Sequence, residues 1–333
     1  MKAFILDRYG KSAALRLGEV AEPVVGDKDV LVQIHAAGVN LLDVKLRDGD
    51  FKAVLPYKPP LVLGHDIAGT VVRVGAKVQR FSIGDAVYAR PRNFRIGAYA
   101  EQIAVDEADL AAKPGSLTME EAGSIPLVGL TAWQALVEIG KVGKGHKVFI
   151  QAGSGGVGTF AIQLAKHLGA WVATTASAAN ADMVKALGAD IVIDYKTQDF
   201  TEILSGYDLV LNSQDTETLN KSIGILKPGG IAISISGPPD PAFAREYGLN
   251  PVFGLILRLI SAGVRRKARR AGVRYAFLFM RADGAQLARI SALIEAGAIR
   301  PVIDRIFPFA ETNEAIAYVE KGRAKGKVVV SIR

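Results

Sequence analysis

The chain of 333 residues contains no cysteine. That absence removes disulfides, cysteine-ligated zinc, iron–sulfur clusters and thiol nucleophiles from the chemistry open to it. A cysteine-free chain suits a reducing compartment, and a cytoplasmic location is expected. No export signal is expected either: the amino terminus, MKAFILDRYG, meets Asp7 and Arg8 before an apolar stretch of the required length has formed. No hydrophobic run is long enough to span a membrane. The most apolar stretch, 252–264, is interrupted by Arg258 and falls short of the ~18 to 20 residues a span needs. Repeats and low-complexity tracts are absent. What remains is globular composition, with half the residues hydrophobic and 22% charged, so a folded core is expected. The length admits one large or two ordinary domains. Basic residues outnumber acidic ones 41 to 33, giving a net charge of +8, a balance that suits anionic ligands.

Up to about residue 122 the pattern is one of short strands punctuated by Gly, Pro and Asp, as in LVQIHAAGV, DIAGTVVRVG, DAVYA and YAEQIAV. Near residue 120 the character changes to helix: TMEEAGSIPLVGLTAWQALVEIG offers Ser116 or Thr118 as a cap and Glu120 and Glu121 in a first turn. From Lys147 strands and helices alternate. KVFIQA, WVATTA, DIVIDY, DLVLN, IAISIS and YAFLFM are short, almost continuously apolar segments separated by helical ones. Strands of that kind fit a parallel sheet covered on both faces, an α/β fold. The tail carries a helix over 285–296, the strand PVIDRIFPF, a helix near Ala315 and a closing strand KVVVSI, and is expected to return to the first domain.

The KVFIQA strand runs into Gly153, Ser154, Gly155, Gly156, Val157 and Gly158, and then into an apolar helix. This is G-x-G-x-x-G in a strand–turn–helix setting. The first glycine permits a tight turn, the second lets the backbone approach a pyrophosphate, and the third lets helix and strand pack closely. Dinucleotide binding follows. An NAD site usually carries an Asp or Glu about 20 residues on, at the end of the second strand. Here that place reads WVATTASAAN, with Thr175, Ser177 and Asn180 as hydrogen-bonding groups and no carboxylate to repel a 2′-phosphate. NADP(H) is therefore the expected cofactor, although Ser177 could equally be a helix cap. Tyr195, after the third strand, could flank the adenine or simply pack. Two rival motifs lack essential residues: the sequence around Ser154 has no first glycine of G-x-S-x-G, and GKVGKGHK has no Lys-Ser/Thr end of a Walker loop.

The segments PPLVLGHDIAGTVVRVG, FSIGDAVYA, GAYAEQIAV, GLTAWQAL, AGSGGVGTFAIQLAKHLGA, LKPGG and GKVVVSIR, in this order, resemble the medium-chain dehydrogenase/reductases, in the zinc-free quinone oxidoreductase and enone reductase branch. The match covers nearly the whole chain. The resemblance implies a GroES-like, mostly-β catalytic domain over 1–123 completed by 281–333, and a Rossmann NADP(H)-binding domain over 124–280. It further implies NADPH in the cleft between them, and often a homodimer. Matched to zinc-dependent members, Asn40 stands where a first Cys ligand would be, His65 where the His would be and Val128 where the second Cys would be. Two of three ligands are missing, and 85–97 is too short for a structural zinc lobe, so no metal is expected.

Without a metal, the natural acceptor is already electron-poor by conjugation. An α,β-unsaturated carbonyl accepts hydride at its β-carbon and the enolate then takes a proton; a quinone accepts hydride similarly. The resemblance places Asn40 near the nicotinamide or its ribose, and offers Asp43, Tyr57 and His65 for substrate hydrogen bonding or proton relay. Structural roles remain open for Asp43 and His65. Thr131 is expected to line the nicotinamide pocket. Asn212, Ser236 and the segment Phe277, Leu278 and Phe279 are expected to hold ribose and carboxamide, and Lys327 to reach a phosphate. A nonenzymatic NADPH-binding or sensing protein on the same fold is the alternative reading. The segment FGLILRLISAGVRRKARRAGVRY joins an apolar half to a basic half. A lid or dimer-contact helix, a weak membrane-surface contact through 253–274, and nucleic-acid binding are its three readings. Sparse aromatics count against the last.

Overall fold

The computed structural model describes residues 1–333. The chain divides into two compact units, Met1–Leu130 with Arg281–Arg333, and Thr131–Met280. The division falls a few residues beyond the change of character near residue 120, because the helix Pro126–Trp133 straddles it.

In the first unit the long strand Asp29–Val39 organises the sheet. It pairs antiparallel with Asp66–Val74 on one side and with the closing strand Lys327–Ser331 on the other, Val329 lying opposite Gly38. The closing strand in turn runs parallel to Ile303–Pro308. The tail thus inserts into this sheet. Its apolar residues Val328, Val329 and Val330 are fully buried, which at ~1.5 to 3 kcal/mol per large aliphatic side chain fixes the terminus in place. A smaller sheet joins Arg16–Glu19, Lys2–Leu6 and Leu61–Val62.

The strand Asp29–Val39 ends where Asn40 begins the helix Leu41–Asp48. Asp43, in the first turn, accepts the Asn40 N–H at 2.9 Å, so a carboxylate satisfies the helix start. Gly49, at φ 88°, closes the helix in the left-handed conformation that glycine takes without strain. Farther on, Thr118 and Glu121 form a reciprocal capping box on Met119–Gly123.

The second unit is a six-stranded, wholly parallel sheet in the order Ile191–Asp194, Trp171–Ala176, Lys147–Ile150, Tyr207–Asn212, Leu226–Ser234, Arg274–Phe277. Val148, Phe149 and Ile150 are inaccessible to solvent, as a central strand covered on both faces requires. The chain builds outward from Lys147–Ile150 in one direction, then returns to build in the other. The turn after this strand therefore lies at the point where strand order reverses, where open α/β sheets leave a crevice beyond the strand ends. No helix in the protein is long and apolar enough to cross a membrane.

Candidate cofactor site and active site

At the reversal point, Ala152 takes φ 51° and Gly153, Ser154 and Gly155 lead into the helix Gly156–His167. The glycines of this turn divide by what a side chain would meet. A Cβ on Gly153 would come within 2.1 Å of Thr174 Oγ1, and one on Gly158 within 2.3 Å of the Ala152 carbonyl and 2.7 Å of Gly153 Cα. Both glycines are demanded by the packing of strand, turn and helix. A Cβ on Gly155 would meet nothing nearer than the Ala152 carbonyl at 3.4 Å, and its φ of −82° suits any residue. The fold does not require glycine at 155. The helix start beyond it has no side-chain cap, so its first N–H groups are left for an anion at the positive end of the helix dipole. Ser154, Gly156 and Val157 are partly exposed, while Gly153 and Gly158 are buried. These features fit a pyrophosphate.

Thr175 braces this turn: its hydroxyl oxygen accepts the Ala152 N–H at 3.0 Å and its carbonyl accepts the Gly153 N–H. Ser177, just past the second strand, begins the short turn Ala178–Asn180 without making a side-chain cap. Its hydroxyl is thus not engaged as a cap. Asn180 caps nothing with its side chain either, and Tyr195 is 61% exposed. Thr131 is buried in Pro126–Trp133, a helix that widens into a π-helical stretch at Gln134–Ile139.

At the ends of the fourth and fifth strands the polar groups form a closed set. The Asn212 amide donates to Gln151 Oε1 at 2.6 Å and accepts from the hydroxyl of Ser234 at 2.6 Å, with zero exposure of Asn212. Ser236 donates to the Gln214 carbonyl. Asn212 therefore presents an occupied side chain, which holds the strand ends together. Phe277 and Phe279 pack edge-on against Phe243, and Tyr247 stacks with them. The Leu278 N–H donates to the Ser234 carbonyl.

In the first unit, Asn40, Asp43, His65 and Lys327 belong to one buried polar network. Asp43 is its hub. Its carboxylate contacts His65 Nδ1 at 2.5 Å, accepts the Tyr99 hydroxyl at 2.9 Å and accepts the Asn40 N–H, and neither Asp43 nor His65 is exposed. Burial, and then the negative charge of Asp43, push the Tyr99 hydroxyl well above the usual phenol range. Tyr99 is accordingly a donor. His65 Nε2 is buried without a hydrogen-bond partner.

Asp66 anchors the second half of the network. Its Oδ2 accepts from Asn40 Nδ2 at 3.0 Å and lies 3.3 Å from Lys327 Nζ, while Oδ1 accepts the Leu127 N–H at 2.7 Å. Burial pushes the Asp66 carboxyl above its ordinary value, and the Lys327 ammonium pulls against that rise. Lys327 also donates to the Val39 carbonyl and to Asn40 Oδ1. Its three N–H groups are accounted for inside the first unit, where the sequence led one to expect a phosphate contact. Asn40 is oriented by charge on both sides. Its Nδ2 donates to Asp66 and, at 3.3 Å, to the Gly38 carbonyl, and its Oδ1 accepts from Lys327.

Tyr57 stands apart from this network. Its hydroxyl oxygen accepts the Phe94 N–H at 2.8 Å, its ring packs on Phe94, and burial raises its hydroxyl. Asp66, Tyr99 and Gln151 were not singled out from the sequence. Asp66 was detectable in principle, as a carboxylate that follows His65 and opens the apolar run 67–69.

The family profile "Alcohol dehydrogenase GroES-like domain" matches residues 26–115, and "Zinc-binding dehydrogenase" matches 187–330. The zebrafish mitochondrial NAD(P)H oxidoreductase RTN4IP1 is 36% identical over 354 residues, covering all of this chain and 91% of that protein. The NADPH-dependent alkenal/one oxidoreductase of Arabidopsis thaliana chloroplasts is 32% identical, covering 99% of this chain and 79% of the relative. Among solved structures, the quinone oxidoreductase from Coxiella burnetii superposes with a TM-score of 0.87 at 31% identity, covering 100% and 99% of the two chains. The zinc named in one profile has no ligand set here. The chain has no cysteine, no group of three His, Asp or Glu side chains is placed to hold a metal ion, and Asn40 and His65 are turned to Lys327, Asp66 and Asp43.

Proposed function

Because the chain belongs to the medium-chain dehydrogenase/reductase superfamily, in its zinc-free quinone and enone reductase branch, we propose that it is an NADP(H)-dependent reductase of conjugated acceptors, either quinones or α,β-unsaturated carbonyls. The observation that carries the reading is Gly155: the protein's own packing does not call for a glycine there, whereas an approaching pyrophosphate does. The bound cofactor supplies hydride from its reduced nicotinamide.

The Gly153–Gly158 turn and the uncapped helix start hold the pyrophosphate. Ser177, in a place without a carboxylate, takes the 2′-phosphate. The first unit is the catalytic domain and the second the cofactor-binding domain. Within the first, Asn40 makes a hydrogen bond to cofactor or substrate through its amide, and Asp66 and Lys327 keep that amide from rotating. Asp43 and Tyr99 hold the His65 ring. The acceptor is a small electrophilic molecule, and the working assembly is a homodimer, which sedimentation velocity would check. The conjugate-reduction step itself is tested with NADPH carrying deuterium at both C4 positions and a simple enone. One deuterium at the β-carbon of the saturated product is expected; a product without it would refute hydride transfer.

A further inference from the structure

All of the chain's excess positive charge can be assigned to one stretch. Between Glu246 and Asp283 the sequence has no acidic residue and eight basic ones, five of them within 265–270. Setting these eight aside from the 41 leaves 33 basic residues against 33 acidic, so the remainder of the chain is neutral. The same stretch carries the most exposed apolar surface. In the helix Pro251–Ile260, started by Pro251 and by an Asn250 side chain that accepts the Val252 N–H, only Leu257 is buried. Val252, Leu255, Ile256 and Leu259 recur at helical spacing and are 43% to 68% exposed. An apolar stripe of that length facing water calls for an occupant.

The next helix, Ala262–Arg270, is fixed in place. Ser261 between the two helices is fully buried and donates to the Leu257 carbonyl at 2.7 Å, and Val264 and Ala268 pack into the core of the second unit. Burying these two residues leaves Arg266, Lys267, Arg269 and Arg270 exposed. Apolar stripe and cations are thus presented by successive helices joined at a buried corner.

Three occupants can be compared on this chemistry. A second copy of the chain would cover the stripe, but would add a second uncompensated set of cations to the first. A nucleic acid would neutralise the cations and leave four exposed aliphatic side chains facing phosphate and water. An anionic lipid surface answers both features. We propose that the two helices within 251–270 dock the protein on an anionic bilayer surface, with the Val252, Leu255, Ile256 and Leu259 stripe at the boundary of headgroups and acyl chains and the arginines over the lipid phosphates. This docking stands independently of the reductase reading.

The test is cosedimentation with vesicles of phosphatidylcholine alone or mixed with phosphatidylglycerol, and of the variants Leu255→Ser with Leu259→Ser, and Arg269→Ala with Arg270→Ala. The protein should pellet with the anionic vesicles, remain in solution with pure phosphatidylcholine, and be released when salt rises from roughly 0.1 to 0.5 M as the screening length shrinks. The serine pair should abolish binding. At roughly fivefold per cation near an anionic surface, the alanine pair should weaken it about 25-fold. A thermal melt matching the parent shows that the variants are folded, and turnover of a small water-soluble enone, which does not involve these four residues, should be unchanged. No pelleting, equal pelleting with neutral vesicles, or unchanged binding by the serine pair would overturn the proposal. So would a two-copy particle that the serine pair splits, which would assign the stripe to a second chain. Retention on duplex DNA or RNA without vesicle binding would overturn it as well.

Discussion

Replacing Gly155 by alanine separates a glycine kept for the ligand from glycines kept for the fold. The added methyl would sit 3.4 Å from the Ala152 carbonyl, an ordinary contact, on a backbone with φ −82°. Gly→Ala at an unstrained position gains ~0.4 to 1 kcal/mol by restricting the unfolded chain. Alanine is a poorer residue than glycine at a helix N-cap by a similar amount. The two effects nearly cancel, so the melting temperature of Gly155→Ala should stay within a degree or two of the parent.

Gly158→Ala is the control. Its methyl would lie 2.3 Å from a backbone oxygen and 2.7 Å from Gly153 Cα, so the helix and turn must separate. Overpacking of that kind costs ~1 to 3 kcal/mol. Cofactor affinity should show a different pattern. A methyl between the Gly155 backbone and a pyrophosphate removes at least one charge-assisted hydrogen bond, worth ~1.5 to 3 kcal/mol, so Kd for NADPH should rise tenfold or more. Fluorescence titration with NADPH and a thermal melt on the same samples read both quantities. Gly155→Ala binding NADPH as tightly as the parent would refute the placement of the phosphates. Gly155→Ala melting as low as Gly158→Ala would mean that the glycine serves the fold.

Three further outcomes are expected. Ser177→Asp should move preference from NADPH towards NADH, because a carboxylate would repel the 2′-phosphate; an unchanged ratio of kcat/KM values would place that phosphate elsewhere. Asn40→Ala should lower kcat by more than it weakens NADPH binding, and an unaffected rate would remove Asn40 from the site. Lys327→Met should leave the Asp66 carboxyl without its opposing cation and raise it further. The folded state would then keep a proton that the unfolded state releases, so stability should fall as pH rises from about 4. The loss should approach ~3 to 5 kcal/mol at pH 8, as for an uncompensated buried charge, and be smaller at pH 5. A loss independent of pH in urea melts would contradict this account of Asp66.

The Rossmann-like half was legible because its signals are local. Apolar strands such as Lys147–Ile150 are buried on both faces, and the glycine turn at 153–158 is read from consecutive residues. The helix start near residue 118 was legible for the same reason, although the choice of Thr118 over Ser116 as its cap comes from the fold. The helix Leu41–Asp48 was not, since VNLLDVKLRD continues an apolar strand and only the Asn40–Asp43 contact marks the change. The buried network was least legible. Asn40 and Lys327 meet across 287 positions, and Asn40 and Asp66 across 26. Such pairings depend on which strands adjoin Asp29–Val39, so Lys327 read as an open cation in sequence is an internal partner of Asp66 in the fold. Asn212 behaves likewise: the strand-end position is visible in sequence, but its engagement with Gln151 and Ser234 is not.

The central claim, metal-free NADPH-dependent reduction of conjugated acceptors, is tested most directly by the loss of nicotinamide absorbance in chelator-washed protein. NADPH and NADH would be compared against a short enone, a long-chain enone, a benzoquinone and a saturated ketone. The account predicts turnover of an enone or the quinone, with NADPH preferred and the saturated ketone inert. Reduction of the saturated ketone dependent on added zinc, or tight NADPH binding with no turnover of any acceptor, would contradict it.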